Sequence, residues 1–371
     1  MSFGFFHLWR GCFVCTLIVV LLASYSPNPA PKAERTAALS NLVPFDKLFA
    51  PPDTVILDPS LLVGQIRFID ADASGNLLIT DYSAGLVHLF EPTGHHVSTF
   101  DTNVCFPNDT RHTVDGARFA DNGTILVNTW EGVTVVFDRA GNCVTARSDP
   151  TSTILSFCTW GDSLFTLLSF RGSNQKQMFE VYTMDLVFQR AIEHAPPEFP
   201  RLNSISSGYG GRNMDCFQGG VLYKHLGDMD AKPVSGQALR TQARPEYFVK
   251  RDRDIPFTRD LNARLQVQRA FPLLTGLYAL DEDVRMMLFS WIDESFRLEG
   301  DTGQRIEGLS IASNSNQFPP VSTILHKTPS AAAHGYLYFV GDYVTMPDGE
   351  FSNSTIVRYR FIPPTDMEPE N

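Results

Sequence analysis

Two stretches of this chain repeat each other at a fixed spacing, and that spacing constrains the fold more than any other feature. Gly75 and Gly123 lie 48 residues apart, as do Leu77 and Ile125, and Ile79 and Val127. After one deletion, Gly85 and Gly132, Phe90 and Phe137, Gly94 and Gly141, and Val97 and Val144 lie 47 apart. Each copy holds four short runs of strand composition: "QIRFIDAD", "NLLITD", "GLVHLFE" and "HHVSTFD" in the first, "ARFAD", "TILVNTW", "GVTVVFD" and "CVTARSD" in the second. Period-2 alternation between glycine-centred turns is the pattern of antiparallel strands, and no window here has the i, i+3, i+4 spacing of a helix. A four-stranded unit recurring every 40–50 residues or so cannot bury both faces of its sheet alone. It must stack on copies of itself, as the blades of a β-propeller do.

Weaker copies follow. "ILSFCTWGD", "SLFTLLSF", "MFEVYTMD" and "VFQRAIEH" form a third. "NMDCFQGG" and "VLYKHLG" open a fourth, which then has an insertion around 228–245 before "EYFVKRD" and "RLQVQRAF". The fifth reads "LTGLYALDED", "VRMMLFSW", "SFRLEGD" and "RIEGLSI", and the sixth "STILHK", "GYLYFVGD" and "STIVRYRF", after which no fourth strand remains. "TVILD", residues 54–58, precedes the first copy and supplies an outer strand for the last blade. About 310 residues at about 50 per unit make six blades, with five or seven as alternatives. The expected fold is therefore all-β: a six-bladed β-propeller of four-stranded antiparallel blades over residues 41–363, closed by an N-terminal strand, with an acidic tail at 364–371.

At the N-terminus, Arg10 precedes the apolar run "CFVCTLIVVLLA" and a Pro-rich stretch. The run is shorter than the roughly 20 residues of a membrane span and matches a secretory h-region. Residues 1–33 are expected to be a signal peptide or, if uncleaved, an N-terminal membrane anchor with a linker, and the protein to be periplasmic or extracellular. With a net charge of −11 and no basic stripe, the chain is not expected to bind nucleic acid.

"DASGNLLITDYSAGLVHLFEPTGHHV" resembles the NHL-type repeat: a Gly-Asn turn, an aliphatic strand ending in Asp, an aliphatic-Phe strand and a further Gly turn. It resembles in particular the exported six-bladed propellers of bacteria. The resemblance holds over residues 63–148 and is architectural beyond them; Thr129 stands where Asp81 fits the pattern. It implies the fold and leaves the function open, because this architecture carries lyases, lactonases, glycosidases and pure binding modules.

Propeller enzymes usually work where loops lead into the innermost strands. Two such loops here are rich in functional groups: "RHTVDG", with Arg111, His112 and Asp115, and "GYGGRN", with Tyr209, Arg212 and Asn213. His112, Asp115, Tyr209, Arg212 and Asn213 are the candidate binding residues. A gluconolactonase- or paraoxonase-like hydrolase, or a lyase, would hold Ca²⁺ or Mg²⁺ on Glu, Asn and Asp oxygens. Asp115, Asn213 and Asn128 are available for this, but no Glu stands at an equivalent position, so no cofactor is expected unless that alternative holds. Asp281–Asp283 reads as a solvated turn, and His95 and His96 as exposed structural residues. His225 faces a possible rim pocket, and His334 precedes a Gly turn.

Cys158 and Cys216 occupy the same position of successive innermost strands, where side chains point the same way, so no disulfide is expected between them; Cys105 and Cys143 are expected at opposite ends of their blades. The sequons at Asn108, Asn122 and Asn353 fall in expected turns. The sequence as a whole reads as an exported, monomeric propeller that binds a small ligand or a protein partner at its central-channel face without catalysis, with the metal-dependent hydrolase or lyase as the alternative. A third possibility is an assembly subunit that contacts a membrane complex through the insertion and the N-terminal segment.

Overall fold

The computed structural model describes residues 42–106, 112–170, 177–192, 212–217, 220–224, 231–236, 273–293, 304–315, 317–345 and 351–364. They form six antiparallel sheets arranged as a six-bladed β-propeller. A short helix, α1 (Phe45–Leu48), and strand β1 (Asp53–Val55) come first. Blade one is β2 (Ile66–Ala71), β3 (Leu77–Asp81), β4 (Leu86–Phe90) and β5 (His96–Phe100), innermost strand first. Blade two is β6 (Val114–Phe119), β7 (Ile125–Thr129), β8 (Val133–Phe137) and β9 (Cys143–Ser148). Blade three follows with β10 (Ser152–Trp160), β11 (Ser163–Phe170), β12 (Gln177–Thr183) and β13 (Phe188–Ile192).

Blade four contains β14 (Met214–Phe217), β15 (Gly220–Tyr223) and β16 (Lys232–Gly236). Its third strand thus lies inside the stretch read as an insertion. Pro233 interrupts the alternation there, and the pairing with β15 is irregular between Val221 and Leu222. "EYFVKRD", "RLQVQRAF" and "SFRLEGD" lie outside the described residues. Blade five is β17 (Leu273–Ala279), β18 (Val284–Asp293), β19 (Gln304–Ser313) and β20 (Val321–Leu325), so "STIL" is its outer strand and does not open blade six. Blade six begins instead on β21 (Ala331–Ala333) and continues with β22 (Tyr336–Thr345) and β23 (Phe351–Arg360). Three alanines carry neither strand propensity nor alternation, and burial together with antiparallel pairing to β22 keeps them in place.

The ring closes as expected. β1 pairs with β23, Val55 opposite Ile356, and becomes the outer strand of blade six. Asn353 reinforces the closure: its Oδ1 accepts from the Val63 backbone N–H at 2.7 Å, and its Nδ2 donates to the Asp58 and Leu61 carbonyls at 2.9 and 2.6 Å. This residue is buried within a strand, which corrects its reading as a turn sequon.

Packing follows from the repeat. Both faces of each blade are covered, so β3 is buried at every position. Its Leu77 and Ile79 pack with blade six, and Leu78, pointing the other way, packs with blade two. The described core consists of six such clusters, each shared by two neighbouring blades. The glycines paired by the repeat adopt matching left-handed angles, with φ of +89° at Gly94 and +90° at Gly141.

Two disulfides overturn the expectation of free thiols: Cys105–Cys143 and Cys158–Cys216. Innermost strands converge on the channel, and this brings the Cα atoms of Cys158 and Cys216 to 5.7 Å, within bridging range. Cys105 follows the 3-10 turn Thr102–Val104 that leaves β5, which carries it to the start of β9, where its Cα lies 5.7 Å from that of Cys143. Ser98 Oγ on β5 accordingly donates to the Arg139 carbonyl in the β8–β9 turn. Among the described residues no helix is long and apolar enough to cross a membrane.

Candidate functional site

The alternation that buries one face of each innermost strand also aims polar side chains at the channel. Asp70 on β2, Arg118 on β6, Asp215 on β14 and Arg212 just before β14 meet there, all four buried. Arg212 donates to Asp70 Oδ1 at 2.9 Å and lies 3.4 Å from Asp215 Oδ2, while Arg118 reaches Asp215 Oδ1 at 2.5 Å. The remaining carboxylate lone pairs are taken by backbone N–H groups: Phe119 to Asp70 at 3.0 Å, and Cys216 and Ala279 to Asp215 at 3.0 and 2.9 Å. The Arg212 guanidinium is also flanked by the Phe68 and Tyr278 rings at 4.7 and 5.2 Å. Burial alone would raise the Asp215 carboxyl, but Arg118 and Arg212 outweigh it and hold the group below the usual range. For Arg212, burial pushes down and the two aspartates more than compensate. The quartet is electrically balanced and joins blades one, two and four, with blade five attached through Ala279.

Beyond this floor a cavity of about 750 Å³ opens at the end of the channel where each innermost strand turns into the second. All six blades line it, through Asp72 and Ser74, Asp121, Trp160, Phe217, Asp281 and Glu282, and His334. The Cys158–Cys216 bridge forms part of the wall. Arg139 pairs with Asp72 at 2.7 Å; burial would raise the Asp72 carboxyl, but hydrogen bonds from Asn76 and Arg139 hold it down.

Of the residues nominated from the sequence, Arg212 lines this cavity. Asp115 lies at the beginning of β6, towards the other end of the channel, and pairs with Arg67 at 2.9 Å. Burial raises its carboxyl, Arg67 opposing and Glu131 adding to the effect. Arg67 itself lies over the Tyr82 and Trp130 rings at 4.7 and 5.3 Å. His112 is buried with its ring edge-on to Phe106 at 5.6 Å, and its Nδ1 has no partner. Asn213 Oδ1 accepts from Lys224 Nζ at 3.0 Å. Asn128 is buried on β7. Tyr209, Arg111 and His225 lie outside the described residues. No contact joins His112, Asp115, Arg212 and Asn213 into one constellation, and among the described residues no three His, Cys, Asp or Glu side chains gather as a metal site. The sequence reading missed Asp70, Arg118 and Asp215, whose one signal was a charged residue inside an apolar inner strand.

No family profile matches the chain, and no curated protein does. Solved structures do. A crystal structure of a Bacteroides fragilis protein whose name marks it as exported aligns at TM-score 0.54 and 11% identity, over 86% of this chain and 97% of that one. A member of the family of unknown function DUF4221 from Bacteroides vulgatus aligns at 0.49 and 10% identity over 85% and 97%. A streptogramin B lyase aligns at 0.42 and 11% over 85% and 98%. At such identities the likeness establishes the fold alone; the NHL-type resemblance of blades one and two remains a resemblance.

Proposed function

We propose that this protein is an exported β-propeller that binds a small ligand, without catalysis, in the cavity at the end of its central channel. The observation that carries this reading is the cavity itself. Its size suits a small organic molecule, it is lined from all six blades, and it has a rigid, charge-balanced floor. Two disulfides fit an oxidising compartment, which supports export, as does the exported name of the Bacteroides fragilis protein of the same fold.

The test is a small-molecule binding screen with every hit retitrated against two variants. Hits are expected to weaken in Trp160→Ala, at the cavity, and to be unchanged in Asp115→Asn, at the opposite end of the channel. Hits with the reverse dependence, or turnover of a bound compound, would refute the reading.

A further inference from the structure

The lining of the cavity narrows the chemistry of its occupant, and this step rests on the binding reading above. The charges on the floor cancel, two arginines against Asp70 and Asp215, and Arg139 cancels Asp72. Asp121, Asp281 and Glu282 are left at the mouth, all exposed and in no ion pair among the described residues, with Arg139 donating to the Gly123 carbonyl of the Asp121 turn at 3.4 Å. Asp121 sits in the turn after β6 on blade two, and Asp281 and Glu282 in the turn after β17 on blade five, three steps around a ring of six. Carboxylates so placed cannot converge on one metal ion, but they set a negative potential over the whole opening. Trp160 stands between them on blade three with 38% of its surface exposed, an aromatic face of the kind that receives an organic cation.

We infer that the cavity takes an organic cation, its ammonium or guanidinium group held at the acidic mouth beside Trp160. The experiment is isothermal titration of the full chain with three capped amino acids that share their amide carbonyls and differ in side-chain charge: Nα-acetyl-lysine amide, Nα-acetyl-norleucine amide and Nα-acetyl-glutamate amide. The lysine compound is expected to bind about tenfold more tightly than the norleucine compound, and the glutamate compound most weakly. Asp281→Asn and Glu282→Gln, conservative changes in an exposed turn, should each weaken the lysine compound about two- to fivefold, and added salt should weaken it further. Equal or tighter binding of the norleucine or glutamate compound, lost in Trp160→Ala, would overturn the cation assignment and leave the cavity reading standing. Absence of binding by all three, at concentrations up to about 10 mM, would overturn both.

Discussion

Asp215→Asn is the perturbation on which the account of the channel depends most heavily. The Asp215 carboxylate accepts four donors, Arg118 and the Cys216 N–H on one oxygen, Arg212 and the Ala279 N–H on the other. An asparagine keeps the shape but puts an amide N–H against one of those pairs of donors, and it leaves two buried arginines with Asp70 as their sole counter-ion. Removing one member of a buried ion network costs about 3–5 kcal/mol, because the remaining charge is stranded away from water. For a domain of this size that is a fall in Tm of roughly 4–7 °C. Urea unfolding of oxidised protein measures the loss, and a cycle with Arg118→Gln isolates the coupling. A loss under about 1 kcal/mol, with no coupling to Arg118, would refute the claim that the quartet ties blades one, two and four together. The sign with pH is also set: a carboxyl held low in the folded state stabilises above the ordinary Asp range, and this contribution disappears as pH falls through the folded value.

Other outcomes follow from single residues. Burial pushes the His88 imidazole down to about 4, with Asp81 opposing and His96 reinforcing; the folded state therefore prefers neutral His88, and about 3 kcal/mol of stability should be lost as pH falls from about 6.5 towards 4. His88→Gln should remove that part of the acid sensitivity, measured as the difference between the two unfolding profiles. A thiol titration of denatured, unreduced protein should find none of Cys105, Cys143, Cys158 and Cys216 free. Loops of 38 and 58 residues imply that reduction of either bridge costs up to about 4 kcal/mol. Gly94→Ala, at φ +89° with the new methyl 1.9 Å from the Ile56 carbonyl oxygen, should cost at least about 1–3 kcal/mol and lower the exchange protection of β1. Gly161→Ala, at φ +58° with nothing within 4 Å, is the control and should cost only the backbone penalty of about 1–2 kcal/mol and leave β1 protection unchanged.

The architecture is legible in the sequence wherever turn chemistry and alternation coincide. The 48-residue spacing of Gly75 and Gly123 marks real left-handed turns, and "TVILD" carries the strand that closes the ring. Legibility stops where tertiary packing overrides local preference. Ala331–Ala333 is a strand because the channel wall and two neighbouring blades leave it no alternative, and Lys232–Gly236 is one despite its proline. The disulfides were hidden for a geometric reason, since each joins neighbouring blades and the approach of one blade to the next is a property of the assembled ring. The channel floor was hidden in the same way. Asp70, Arg118 and Asp215 are far apart in sequence, and no local pattern tells an inward-facing charge from one on a solvated strand.

The most direct test of the binding account is hydrogen exchange read by mass spectrometry, with and without a ligand from the screen. The account predicts new protection in the turns that follow the innermost strands, residues 70–74, 118–123, 158–161, 279–282 and 332–334, and little change elsewhere. Protection confined to the segments that lead into those strands, residues 62–65, 112–113 and 149–151, would place the site at the opposite end of the channel and contradict the account.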